Sequence, residues 1–118
     1  MSEKRQLADR QGREGEAKAA QWLVAQGWRI IAERVKTKAG EIDLVAQRPG
    51  ITAFIEVKWR KRAAALADAI DERRLARVAA AVEAVAHLYT APGDDISIDV
   101  ILLAPGIRPR HIANAWMP

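Results

Sequence analysis

A helix, three strands, a second helix and a closing strand, in that order, make this 118-residue chain an α/β domain, with one mixed sheet flanked by helices. Three observations carry that reading. Apolar residues recur at helical spacing before residue 27 and again between residues 75 and 89. Between those stretches, Arg48-Pro49-Gly50 splits GEIDLVAQRPGITAFIEVKWR into two runs of alternating apolar and polar residues, the pattern of a hairpin. After the second helix, ISIDVILL is a short continuous apolar run, as expected of a strand covered on both faces.

The first helix is predicted over residues 4–26. Ala17, Ala20, Leu23 and Val24 form its apolar stripe, Glu16 sits at the stripe's edge, and Gly27 fits a left-handed cap. Trp28 to Lys36 reads as the first strand through Ile30 and Ile31. In the hairpin, pairing of Gln47 with Thr52 across a four-residue loop would set Val45 opposite Phe54, Asp43 opposite Glu56 and Glu41 opposite Lys58. The second helix carries the stripe Leu75, Val78, Val82, Val85 and Tyr89, with Asp71 as N-cap and Pro92-Gly93 as its end. Pro105-Gly106 turns the chain after ISIDVILL, and Ile107 to Trp116 is expected to add an edge strand, with Pro109 at home there. No linker or repeat interrupts residues 1–118, so a single domain is expected.

Composition narrows the function. There are no cysteines, which removes disulfides and thiolate metal sites. No apolar run approaches the roughly 20 residues that span a bilayer, and MSEKRQLADRQGREGEAKAAQ lacks the apolar centre of a signal peptide. A cytoplasmic protein with no membrane partner is the expectation. Nineteen basic against fifteen acidic residues give a net charge of +4. The basic residues cluster around the hairpin: Arg34, Lys36, Lys38, Arg48, Lys58, Arg60, Lys61 and Arg62, followed by Arg73, Arg74 and Arg77.

That setting gives the hairpin carboxylates their interest. Asp43 and Glu56, opposite each other on one face, have Cβ atoms about 5 Å apart and repel unless a cation lies between them. A hard divalent ion suits such a pair. A basic rim around it suits phosphodiesters, the rim holding the backbone while the ion assists hydrolysis. The plainer alternative is a solvated strand face. Against it, Val45 and Phe54 make the same face apolar just beyond the carboxylates, so some element must cover it. Asp99 is assigned a structural role, and His87 and His111 lack metal-ligand spacing. The four tryptophans are assigned to packing, with Trp59 the one placed to contact substrate.

Four segments go further. GREGE at 12–16, AGEIDLVA at 39–46, FIEVKWR at 54–60 and RHIANAW at 110–116 resemble the YraN-like family of small bacterial proteins, and the element order with Glu-x-Lys on the third strand resembles the PD-(D/E)XK nuclease superfamily. The resemblance spans nearly the whole chain. It implies a restriction-endonuclease-like αβββαβ core, related to Holliday-junction resolvases, and a metal-dependent endonuclease acting on branched or structured DNA. It also implies Mg²⁺ or Mn²⁺ held by Asp43, Glu56 and the Val57 carbonyl, with Lys58 and Glu16 completing the catalytic set. Arg34, Lys36, Lys38, Arg60, Lys61, Arg62, Arg73 and Arg74 are the expected nucleic-acid contacts. Glu41 is expected to be the salt-bridge partner of Lys58. A catalytically silent nucleic-acid-binding or protein-interaction module on the same fold is the alternative, and homodimer formation is left open.

Overall fold

The computed structural model describes residues 2–68 and 70–116. In chain order these form α1 (Glu3–Ala25), β1 (Arg29–Lys36), β2 (Glu41–Arg48), β3 (Ile51–Trp59), a 3-10 helix (Ala63–Asp68), α2 (Glu72–Tyr89), β4 (Asp95–Leu103) and β5 (Arg110–Ile112). One five-stranded sheet has the order β1-β2-β3-β4-β5. It is antiparallel throughout except for the parallel pair β3 and β4, which α2 links by crossing over the sheet. The mixed α/β sheet flanked by helices is therefore present, compatible with a restriction-endonuclease-like core.

The hairpin has the predicted register, with Gln47 opposite Thr52 and Val45 opposite Phe54. Its turn is tighter than expected, because Arg48 also pairs with Ile51. Only Pro49 and Gly50 remain as loop, and Gly50 supplies the positive φ (+85°) that a proline-led turn needs at its second position. The strands part at the other end, where the paired register stops at Leu44 and Ile55.

The helices cover opposite faces. Ala19 and Leu23 of α1 pack on Leu44, Ala46, Ala53, Ile55, Ile101 and Leu103. Val78, Ala81 and Val82 of α2 pack on Ile42, Val45 and Phe54, and so provide the cover that the apolar Val45–Phe54 pair requires. The α1 stripe differs from the one predicted: Ala17 and Val24 are exposed, while Gly15, Ala19 and Leu23 face the sheet. Gly15 lies at the contact. A Cβ there would lie 3.5 Å from Trp59, an ordinary van der Waals contact, so this turn of the helix rests directly on Trp59 and Ala17 faces outward. Trp59 thus packs against α1, on the face away from Lys58.

The predicted edge strand over residues 107–116 shrinks to the three residues of β5. Beyond it, side-chain bonds take over from the ladder. Asp99, 1% exposed, lies 2.6 Å from His111 Nε2 and accepts the Asn114 N–H at 3.0 Å. Ser97 donates to the same carboxylate, and the edges of Trp22 and Trp28 flank the His111 ring. This closed network pins the last segment over the sheet, the structural role expected of Asp99. Asp99→Ala would remove the carboxylate shared by Ser97, His111 and the Asn114 N–H, and should cost about 2 kcal/mol in urea unfolding.

Candidate active site

Where β2 and β3 part, the ladder bond that would continue them is replaced by a side chain: the Val57 N–H donates to Asp43 Oδ2 at 2.8 Å. Face alternation also slips at this point. Ile42 and Val45 both belong to the α2 layer, while Leu44 and Ala46 belong to the α1 layer. Asp43 consequently borders clefts on both sides of the sheet. A cleft of about 390 Å³ on the α1 side is lined by Arg13, Glu16, Ala17, Glu33, Arg34, Asp43 and Leu44. One of about 280 Å³ on the α2 side is lined by Gly40, Glu41, Asp43, Glu56, Arg74, Arg77 and Val78.

The Asp43 carboxyl is pushed up to about 6. Burial is the largest cause, and the nearby charges of Glu16 and Glu56 push the same way; the Val57 N–H and the Lys58 ammonium only partly offset them. Two glutamates thus act on one aspartate here. Among the described residues, however, no three His, Cys, Asp or Glu side chains converge as a ready-made metal cage.

Glu56, nearly buried, accepts two cations on one oxygen: Lys58 Nζ at 3.0 Å and Arg74 Nε at 3.1 Å both meet Oε1. This corrects the expected Glu41–Lys58 bridge. Lys58 turns to its own strand neighbour two residues back, because the β2–β3 ladder has ended before Glu41 is reached, and Glu41 instead stands opposite Lys36 of β1. On the α1 side, Glu16 Oε2 accepts from Arg34 at 3.1 Å. Arg34 has φ of +52°, a left-handed conformation that costs a non-glycine residue on the order of 1–2 kcal/mol. Gly40 closes the α2 side: a Cβ there would lie 3.1 Å from the Arg77 carbonyl oxygen, so glycine lets the β1–β2 turn meet α2.

The structure therefore brings Asp43, Glu56, Lys58 and Glu16 to one end of the sheet, with Val57 tied to Asp43. Of the expected nucleic-acid contacts, Arg34 and Arg74 line the clefts beside Asp43. Lys36, Lys38, Lys61, Arg62 and Arg73 are exposed away from the cleft linings, and Arg60 donates to the Trp59 carbonyl. Arg13 was not expected in the site, and Arg77 was expected only as a further candidate for the nucleic-acid surface beside Arg73 and Arg74. A signal existed: Arg13 precedes Glu16, and Arg74 precedes Arg77, by three residues on a helix, so each pair shares a face.

The described residues thus form a small α/β domain with two clefts that share Asp43, each edged by a pair of arginines. The chain belongs to the family described as Uncharacterised protein family UPF0102, whose model matches residues 15–103. A UPF0102 protein of Erythrobacter litoralis is 66% identical over 115 residues, covering 98% of this chain and 99% of its own length. UPF0102 proteins of Sphingopyxis alaskensis and Rhizorhabdus wittichii are 54% and 53% identical, and cover 97% and 96% of this chain and 98% and 96% of their own.

Because the Asp43 pKa is raised on folding, its contribution to stability is fully present below pH 3.8 and is lost as pH rises through about 6. Asp43→Asn, which cannot ionise, should therefore stabilise the metal-free protein at pH 8 by on the order of 2 kcal/mol, and much less at pH 4. Urea unfolding in EDTA at the two pH values measures this.

Proposed function

We propose that the protein is a metal-dependent endonuclease of the PD-(D/E)XK type, hydrolysing phosphodiester bonds in branched or structured DNA. The observation that carries this reading is the state of Asp43: a partly buried carboxylate pushed up to about 6, beside two more carboxylates, in clefts edged by arginines. Among the described residues no cation is paired with the Asp43 carboxylate, whose one hydrogen bond is to the Val57 N–H. Asp43 and Glu56 suit Mg²⁺ or Mn²⁺, since Mg²⁺ needs only one or two carboxylates and keeps waters on its other positions. The Val57 carbonyl would be a third ligand, and Glu16, in the same cleft as Asp43, would add negative charge beside the ion.

A metal bound there lowers the pKa of a coordinated water and offsets charge building on the phosphate. The chain's own groups do the rest. Lys58, buried and 3.0 Å from Glu56, would stand beside the reacting phosphate as its fixed cation. Arg13 and Arg34 on one side, and Arg74 and Arg77 on the other, would hold the nucleic-acid backbone as it passes Asp43. A cytoplasmic location accords with a DNA substrate, and no helix among the described residues is long and apolar enough to cross a membrane.

One observation favours the silent binding module instead: Glu56 already carries two cations, so its charge is answered without a metal. A cleavage screen separates the readings. Linear, flapped and four-way-junction DNA with Mg²⁺ or Mn²⁺ should be cut by the wild type. Lys58→Met should bind DNA within a few-fold of wild type but cut about 10²–10³-fold more slowly. Absence of cutting on every substrate gives the field to the binder, and loss of binding alone makes Lys58 a phosphate clamp.

The DNA surface has its own test. Each phosphate that the protein ceases to neutralise flattens the slope of log affinity against log salt by about 0.9 on duplex DNA. Replacing Arg13 and Arg34 together should flatten it by up to twice that amount, whereas replacing Lys61 and Arg62 should leave it nearly unchanged. The reverse result would move the DNA path to the loop after β3.

A further inference from the structure

The two cations on Glu56 are not equivalent. Lys58 comes from the same strand, and its side chain is 7% exposed, as is that of Glu56. Arg74 reaches in from the first turn of α2 with its side chain 60% exposed, and its contact runs through Nε alone. A single-point contact forgoes the paired, forked geometry that makes an arginine–carboxylate bond strong. Lys58 is therefore locked in place, while Arg74 is a loosely held cation at the mouth of the cleft.

Charge balance governs how a divalent ion can enter. The single negative charge of Glu56 is already answered by Lys58 and Arg74. A dication entering that balanced group would face two positive charges on the oxygen it needs, one of them free to leave. Arginine is also the side chain best shaped to take up a phosphate once released.

We propose that Arg74 is an exchangeable cation at Glu56: it occupies the carboxylate when no metal is bound, leaves when a divalent ion enters, and then takes a backbone phosphate of the nucleic acid. This rests on the metal-dependent reading above and deepens it. Arg74 would couple the two ligands, because metal entry frees the group that grips the substrate. It also accounts for the doubly paired Glu56 without making the site a silent one.

Mn²⁺ titration calorimetry on the full chain, without DNA, tests the exchange directly. Arg74→Gln should bind Mn²⁺ about 3–10-fold more tightly than wild type. Arg77→Gln removes the same charge from the same cleft without a contact to Glu56, and should shift Mn²⁺ affinity less than twofold. Fluorescence anisotropy with flapped DNA supplies the second readout. Arg74→Gln should bind within twofold of wild type in EDTA, and at least fivefold more weakly in Ca²⁺, used as a non-cleaving ion. Equal Mn²⁺ affinity in wild type and Arg74→Gln, weaker binding by Arg74→Gln, or equal shifts from Arg74→Gln and Arg77→Gln would overturn the exchange and leave the metal site standing. A DNA penalty of the same size in EDTA and Ca²⁺ would overturn the coupling. If neither wild type nor Arg74→Gln binds Mn²⁺, the metal site itself fails, and the exchange fails with it.

Discussion

The bond from the Val57 N–H to Asp43 Oδ2 is the constraint on which the rest of the site depends. A backbone donor at the end of a central strand must find an acceptor, and the neighbouring strand no longer offers a carbonyl there. A carboxylate takes the vacated place. This fixes Asp43 in the gap between two strands, close enough to the sheet to be desolvated and open enough to border a cleft on each side. Glu56 and Lys58, on the strand that donates the bond, are held in step with it. A site built from strand ends and one side-chain-to-backbone bond is rigid without any loop to order.

Much of this was legible in the sequence because period-two alternation and a proline-glycine break leave little freedom. Once Gln47 is set opposite Thr52, every residue of the hairpin has an assigned face, and the apolar Val45–Phe54 pair demands a covering helix. What escaped depends on where pairing stops. Extending the register to Glu41 and Lys58 assumed that the ladder continued, and nothing in the alternation marks the point where β2 and β3 diverge. The rotation of α1 escaped for a related reason. Ala17 and Val24 are as apolar as the residues that do face the sheet, and the choice between the two faces is made by packing on β3 and β4, where Gly15 meets Trp59. Contacts from outside the hairpin, such as Arg13 and Arg77, need the packing of both helices before they can be placed.

The Asp99 network shows how a short tail can be held with little regular structure. β5 contributes three residues to the sheet, too few to be stable alone. Its hold comes from a carboxylate that collects a hydroxyl, an imidazole and a backbone N–H, and from two tryptophan edges around the imidazole. The network and the Asp43 site lie within the same sheet, yet their tasks are opposed. One satisfies every partner of its carboxylate, and the other leaves a carboxylate short of positive charge.

The left-handed turn of Arg34 has a meaning for the sheet's outer margin as well as for the cleft. β1 is the last strand on its side, with a row of backbone groups that a foreign strand would be able to match. A kink in the middle of that row, together with Arg29, Glu33, Arg34 and Lys36 along it, makes an incoming strand lose its register and meet charge. The conformation that carries a guanidinium to Glu16 therefore also blunts an edge that would otherwise invite strand-to-strand aggregation.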